Sequence, residues 1–454
     1  MRRLIHGASL LGGMSVVLGC SLFLQPVSRQ STTPPPDATI GATDSPALAP
    51  PIPTAEAESV VIHWWHSITD AAQRQFLLKA VRDFEAQHPA VAVEETVVEA
   101  ADYNSRLAAA LRSGPPPDLF QSAGDYSVRS FAAAGYLQDI TDAMGGDWGG
   151  GFLPAARGLY ASGGRQYGAP FSFSVVGVWY NKALFRRAGI DAPPADWDDF
   201  LADIRVLKNN GIVPITLGEG DEWSGAFWWE FLVLRLGGSA AIEDLLGGKT
   251  DFTAAPFVGA GERLAELISL HPFQPGFLDT GTYPDASAVF GDGNAAMHLM
   301  GEWESQNQRE TSSSGRGLGA DLGWFPFPSV SGGAGGPDDF LGGGNGWLVG
   351  RDAPAPALDF LKFITGGDFE CLMIQPGAMP AALAAGECLA EPFPRAVWQA
   401  AGKAGYFQVY YDLYFPSPIG QAVNHGVRGL FTGSLSPAEV AESIDEALLQ
   451  APLS

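Results

Sequence analysis

The chain has 454 residues, with 50 acidic against 26 basic side chains and a formal net charge of −24. That length exceeds one ordinary core, so two domains are the default. So acidic a chain is a poor partner for nucleic acid, or for anionic lipid through a basic patch, and it is compatible with a soluble extracytoplasmic carrier of neutral cargo.

Arg2 and Arg3 open the chain, Leu10 to Leu18 is largely apolar, and Leu18-Gly19-Cys20 follows. This is a signal-peptide pattern, too short for an ordinary spanning helix. The small residues before Cys20 resemble the lipobox of bacterial lipoproteins, which implies residues 1–20 as a signal segment with Cys20 lipidated. An uncleaved anchor is the alternative. Residues 21–59 form a tether: the stretch from about Ser28 to Glu58 is rich in Pro, Thr, Ser and Ala and lacks the large apolar residues that offset ordering entropy.

Val60 to Ser67 reads Val-Val-Ile-His-Trp-Trp-His-Ser, a β-rich run ending in two indoles, an imidazole and a hydroxyl. From Ala71 to Phe84 the apolar residues recur at helical spacing, with Ser67, Thr69 or Asp70 as the cap. Val91 to Val98 is the next strand. Trp64, Trp65 and His66 thus stand at the carboxyl end of the first strand of a β-turn-α-β unit, where open α/β sheets bind ligands. Adjacent strand residues face opposite ways, so one core face cannot bury both tryptophans.

Tyr103 to Leu111 reads as a helix, Asp118 to Ser122 as a short strand, and Ser127 to Ala134 as a helix. Gln121, Ser122 and Asp125 therefore occupy a second strand end. Gly168 to Asn181 is extended, Lys182 to Ala188 helical, and Trp197 to Asn209 an amphipathic helix. Val213 to Leu217 is a strand leading to Trp223, Trp228 and their acidic neighbours. Phe257 to Ile268 and Ala286 to Asn294 are helical, and Ala295 to Met300 is a strand ending at Gly301-Glu302-Trp303-Glu304. Leu322 to Pro328 and Phe340 to Val349 are strand-like, and Ala357 to Ile364 is a helix. The carboxyl part carries Tyr406, Tyr410, Asp412 and Tyr414, then helices at 419–431 and 437–449.

The glycine run 342–346 lacks the Gly-Lys-Ser/Thr ending of a phosphate loop, and neither a nucleophile elbow nor a His-Glu-x-x-His helix is present. No cofactor or metal is expected: His63 and His66 lack further donors, and His298 reads as a structural imidazole. Cys371 and Cys388 are compatible with a disulfide in an oxidising compartment. What stands out is Trp and Tyr at turns beside Asp, Glu, Asn and Gln. Sugars need that mixture, because their C–H faces stack on flat rings and their hydroxyls need multivalent partners. Abundant aromatics in a large core explain it nearly as well. Glu302 and Glu304 keep a glycosidase open, since sequence does not establish the carboxylate separation that such chemistry requires.

In order along the chain, Val60 to Trp65, Pro117-Asp118-Leu119-Phe120-Gln121, the Gly-Val-Trp-Tyr-Asn-Lys stretch 177–182, Trp197-Asp198-Asp199-Phe200, Ala295 to Trp303 and Asn345-Gly346-Trp347 resemble the solute-binding proteins of bacterial ABC sugar importers. The resemblance implies a two-lobed α/β fold of the type II periplasmic-binding-protein kind, a β-sheet flanked by helices in each lobe and a ligand cleft between them. It places lobe 1 at 60–172 plus 318–378 and lobe 2 at 173–317 plus 379–454. It implies a non-enzymatic, monomeric carrier held to the outer membrane face by lipid alone, with a carbohydrate and ABC permease subunits as partners. It favours Trp64, Trp65, His66, Gln121, Asp125, Trp303 and Asn345 as ligand contacts; Trp223, Trp228, Tyr410 and Asp412 are added mainly from composition. A polyol or glycerol-phosphate-type ligand is the nearest alternative.

Overall fold

The computed structural model describes residues 59–279, 281–374, 379–451 and 453. The signal segment, Cys20 and the tether up to residue 58 lie outside them.

The β-branched run Val60–His66 is a strand, paired in parallel with Val91–Val97 on one edge and Leu119–Ser122 on the other. Asp70 settles the cap of the intervening helix Ala71–Gln87 by accepting from Gln73 N at 2.8 Å. Leu77, Ala80, Val81 and Phe84 bury one stripe of that helix, as its apolar spacing requires. Phe340–Val349 then runs antiparallel to Leu119–Ser122, and Gly168–Asn181 lies antiparallel beside it.

Gly168–Asn181 organises the molecule. Its 14 residues extend about 46 Å at ~3.3 Å each, enough to serve two cores in succession. Its first half pairs with Phe340–Val349, from Gly168↔Leu348 to Val175↔Gly342. Its second half pairs with Ala295–Gly301, from Val176↔Gly301 to Tyr180↔Met297, and also with Leu322–Phe325. Val213–Thr216 closes the far edge in parallel with Ala295–Gly301. The expected pair of sheets is therefore one continuous path through a shared strand.

Apolar packing divides where the pairing does. Ile62, Trp64, Phe84, Val175, Phe340, Trp347 and Phe360 share one core; a cluster around Tyr103, Phe120, Tyr160 and Leu348 covers the other face of the same strands. Val176, Leu341 and Tyr410 instead join the second core, with Phe200, Trp228, Phe231, Met297 and Val427. Chain crossings thus fall at 175/176, within 340–347, where Phe340 and Trp347 pack in the first core and Leu341 in the second, and at 409/410. This corrects two of the expected boundaries. Residues 322–330 pack in the second core, because Leu322–Phe325 hydrogen-bonds to the distal end of the shared strand and Phe325, Phe327 and Val330 follow it inward. Residues 379–401 pack in the first, where Met379 pairs with Phe173 and a Cys371–Cys388 disulfide ties the segment down.

The aromatic stretch after Val213–Thr216 is the first part of a long helix, Trp223–Leu246. Apolar residues cover it on every side, so it is buried on nearly every side. It breaks at Gly238, whose φ of 60° suits glycine. Among the described residues no helix is long and apolar enough to cross a membrane.

Candidate functional site

Polar side chains converge where the two cores meet, and the strand register brings them there. Gln121 ends a strand of the first core, and Asn345 lies 224 residues later on the neighbouring strand; their side chains bond, Gln121 Nε2 donating to Asn345 Oδ1 at 2.9 Å. Ser67, just past the first strand, donates to Gln121 Oε1 from its backbone N–H at 2.7 Å and its hydroxyl at 3.0 Å. The buried Tyr103 hydroxyl donates to the Gln121 carbonyl at 2.9 Å, fixing that strand end from below. Asn345 stands opposite Ser172 on the shared strand, Gly343 opposite Ser174, and Val176 opposite Gly301. Two strand ends of the first core, the middle of Phe340–Val349 and the end of Ala295–Gly301 thus come together along the shared strand.

On the second-core side, Glu302 Oε2 accepts from Val175 N at 2.8 Å. Burial raises the Glu302 carboxyl to about 8, against the lowering effect of that bond. Ser174 Oγ accepts from Gly343 N at 3.0 Å and lies 2.9 Å from the Tyr410 hydroxyl. Tyr410 in turn stacks on Phe227, centroids 4.9 Å apart. Trp303 is half-buried and precedes the helix Glu304–Thr311. Its ring covers Gly301 so closely that a Cβ there would sit 2.2 Å from the ring, so only glycine permits this placement. The neighbouring Glu304 turns elsewhere, to His298 Nδ1 at 2.9 Å and to the Ser287 hydroxyl. Glu302 and Glu304 therefore belong to separate hydrogen-bond networks.

The expected contacts divide sharply. Gln121, Asn345 and Tyr410 join this cluster, while the half-buried Trp65 packs against the Tyr103 and Phe120 cover of the first core and the half-buried Trp303 against the second core. Trp64, His66 and Trp228 do not qualify. Trp64 is 0% exposed, edge-on to Trp347 at 4.9 Å and Phe360 at 5.2 Å, because its strand face is closed by helices. His66, also sealed, accepts from Ile68 N through Nδ1 and so presents Nε2–H to Glu95 at 2.9 Å; burial lowers its pKa. Trp228 is enclosed by Phe200 and Phe327. Asp125 caps Tyr126–Ala133 by accepting from Ser127 N at 3.0 Å, a structural use of its carboxylate. Trp223 is half-buried edge-on to Phe227 and Tyr283. Asp412 accepts from Asn424 at 3.4 Å.

Ser67, Ser172, Ser174 and Glu302 complete the set without having been singled out as ligand contacts. The two shared-strand serines had a signal, since positions 172 and 174 face one side by strand alternation. A cavity of about 680 Å³ lies apart from all these residues, lined by Lys182, Arg309, Arg316, Leu322, Leu389 and Phe393 among others. Its walls carry Gln306, Gln308 and the single ring of Phe393 among three cations, Lys182, Arg309 and Arg316, a lining suited to an anion more than to a neutral polyhydroxyl ligand, for which the strand-end cluster is the stronger site.

The family model described as "Bacterial extracellular solute-binding protein" matches residues 66–367. An ABC transporter extracellular-binding protein of Pyrococcus horikoshii is 24% identical over 295 residues, 64% of this chain and 65% of that one. The diacetylchitobiose binding protein of Streptomyces coelicolor is 27% identical over 296 residues, again 64% and 65%. The chain thus spans just under two thirds of the length of these relatives. Among solved structures, a bacterial solute receptor described as preferring β-D-galactopyranose aligns with TM-score 0.76 at 20% identity, covering 87% of this chain and 100% of that one. A chitin oligosaccharide binding protein aligns at TM-score 0.71 and 24% identity, covering 87% and 99%. These likenesses establish the fold.

Proposed function

The chain belongs to the bacterial extracellular solute-binding protein family, and from that premise we propose that it captures a mono- or short oligosaccharide and delivers it to the permease of an ABC importer. The observation that carries this reading is the polar cluster at the junction of two cores, with the half-buried Trp65 packed on the first-core side and the half-buried Trp303 on the second. Trp65 and Trp303 supply flat surfaces for sugar C–H faces, while Gln121, Asn345, Tyr410, Ser174 and Glu302 supply hydrogen bonds.

Capture works by closure without chemistry on the ligand. The three crossings near 175, 340 and 409 form a hinge, and contacts to both lobes favour the closed form. Separate engagement of Glu302 and Glu304 favours this reading over a glycosidase. A phosphorylated solute is disfavoured because Arg129, Arg157 and Arg165 are already held by the Tyr414 carbonyl, the Gly149 carbonyl and Asp139. The protein acts as a monomer without a cofactor, tethered at the outer face of the membrane by lipid on Cys20.

A thermal-shift screen with mono- and disaccharides tests the function. A ligand at 100 times its Kd adds about 2.7 kcal/mol to the folded state, a rise in midpoint that is readily measured. No shift with any sugar, together with a shift on a polyol or phosphorylated solute, would replace the sugar assignment.

A further inference from the structure

The orientation of the two amides at the site follows from a donor that cannot reverse. The Ser67 backbone N–H points at Gln121 from 2.7 Å, so the atom facing it is Oε1. Nε2 then faces Asn345, and the receiving atom 2.9 Å away is Oδ1. Turning either amide round would set two donors against each other. Asn345 is therefore left with both Nδ2 hydrogens and Gln121 with one, none with an acceptor among the described residues. Both side chains are half-buried, open enough to meet a ligand.

Adjacent donors without acceptors discriminate between ligand oxygens. A sugar hydroxyl accepts a bond but brings a proton that needs its own acceptor. A carbonyl oxygen has two lone pairs and no proton to place. A carboxylate matches the donors equally well, yet it would approach a chain of net charge −24. A neutral carbonyl oxygen is the partner that this donor pair fits with no further acceptor.

We propose that Asn345 Nδ2 is a specificity determinant that reads the carbonyl oxygen of an acylamino substituent, so that the ligand is a neutral acetamido sugar, with Gln121 and Ser67 as positioning residues. This rests on the sugar-binding reading above and goes beyond it in naming the sugar class.

Titration calorimetry on the full chain compares N,N′-diacetylchitobiose with cellobiose, which has the same linkage but hydroxyls for both acetamido groups, and with cellobiouronic acid. Diacetylchitobiose should bind at least tenfold more tightly than either. Asn345→Asp, which offers an acceptor where a donor stood, should bring its ratio to cellobiose near one. Gln121→Glu should do the same without altering Asn345, because a carboxylate there turns the Asn345 amide round. Equal or tighter binding of cellobiose, tighter binding of the uronate, or a tenfold preference that survives Asn345→Asp overturns the proposal. A sugar lacking any acyl group that binds best overturns this inference alone, whereas failure of every sugar overturns the sugar-binding reading with it.

Discussion

Trp64–Trp65 and Trp228–Trp229 are both tryptophan doublets, and the fold treats them oppositely. The first sits on a strand, which sends neighbouring rings to opposite faces. Trp64 is sealed in the first core, and Trp65 is half-buried beside the cluster on the other face. The second sits in the helix Trp223–Leu246, and both its rings are enclosed, 1% and 0% exposed. A doublet yields a ligand surface only where its element has one face incompletely covered. A helix that is apolar all round has no such face.

The sharpest way to break that distinction is to truncate the enclosed rings. Trp64→Ala or Trp228→Ala should cost about 3–5 kcal/mol in chemical denaturation, the range for large aromatic-to-alanine core changes. A loss under about 1 kcal/mol at either would mean that the ring is not a core member. The cores can also be separated. Cys371→Ala opens a loop spanning 17 positions in the first core only and should cost about 3 kcal/mol. Hydrogen exchange should then quicken in Ala355–Ile364 well before it does in Trp223–Leu246; equal loss in both would show that the cores do not act independently.

Trp303→Ala should separate binding from folding, weakening sugar affinity by roughly 1–4 kcal/mol in calorimetry while costing less stability than Trp228→Ala. Unchanged affinity would remove Trp303 from the site. A pH-dependent effect belongs to Glu302. Its carboxyl is raised by burial from 4.5 to about 8, so the folded state holds a proton that the unfolded state releases in between. Its stability contribution is full below the unfolded value and is lost as pH rises through about 8. Glu302→Gln should therefore flatten part of the fall in denaturation midpoint between pH 5 and 9. Parallel curves for the two proteins would show that Glu302 ionises freely. Glu219, raised to about 9, supplies a similar slope in both proteins, so the difference between them is the readout.

Local elements were readable because periodicity is a local property. The helices at 71–87, 197–209 and 355–364 each show an apolar stripe, whereas the bond between Gln121 and Asn345 joins residues 224 positions apart, which no local pattern displays. The Asp70 cap was one of three equivalent choices until Gln73 N selected it. The lobe boundaries misled because residues 322–330 and 379–401 are assigned by what they pair with, Asn181 and Phe173 respectively, and those partners are far away in sequence.

From the sequence alone follow the class of fold, the order of its elements and the mixture of rings and amides suited to a neutral polyhydroxyl ligand. Those depend on spacing, composition and charge, which a linear chain displays directly. Only the tertiary structure decided which ring of each doublet is sealed, that one 14-residue strand serves both cores, and which way the Gln121 and Asn345 amides point. Burial and hydrogen-bond direction depend on the groups that arrive from elsewhere, and these are set only once distant segments pack.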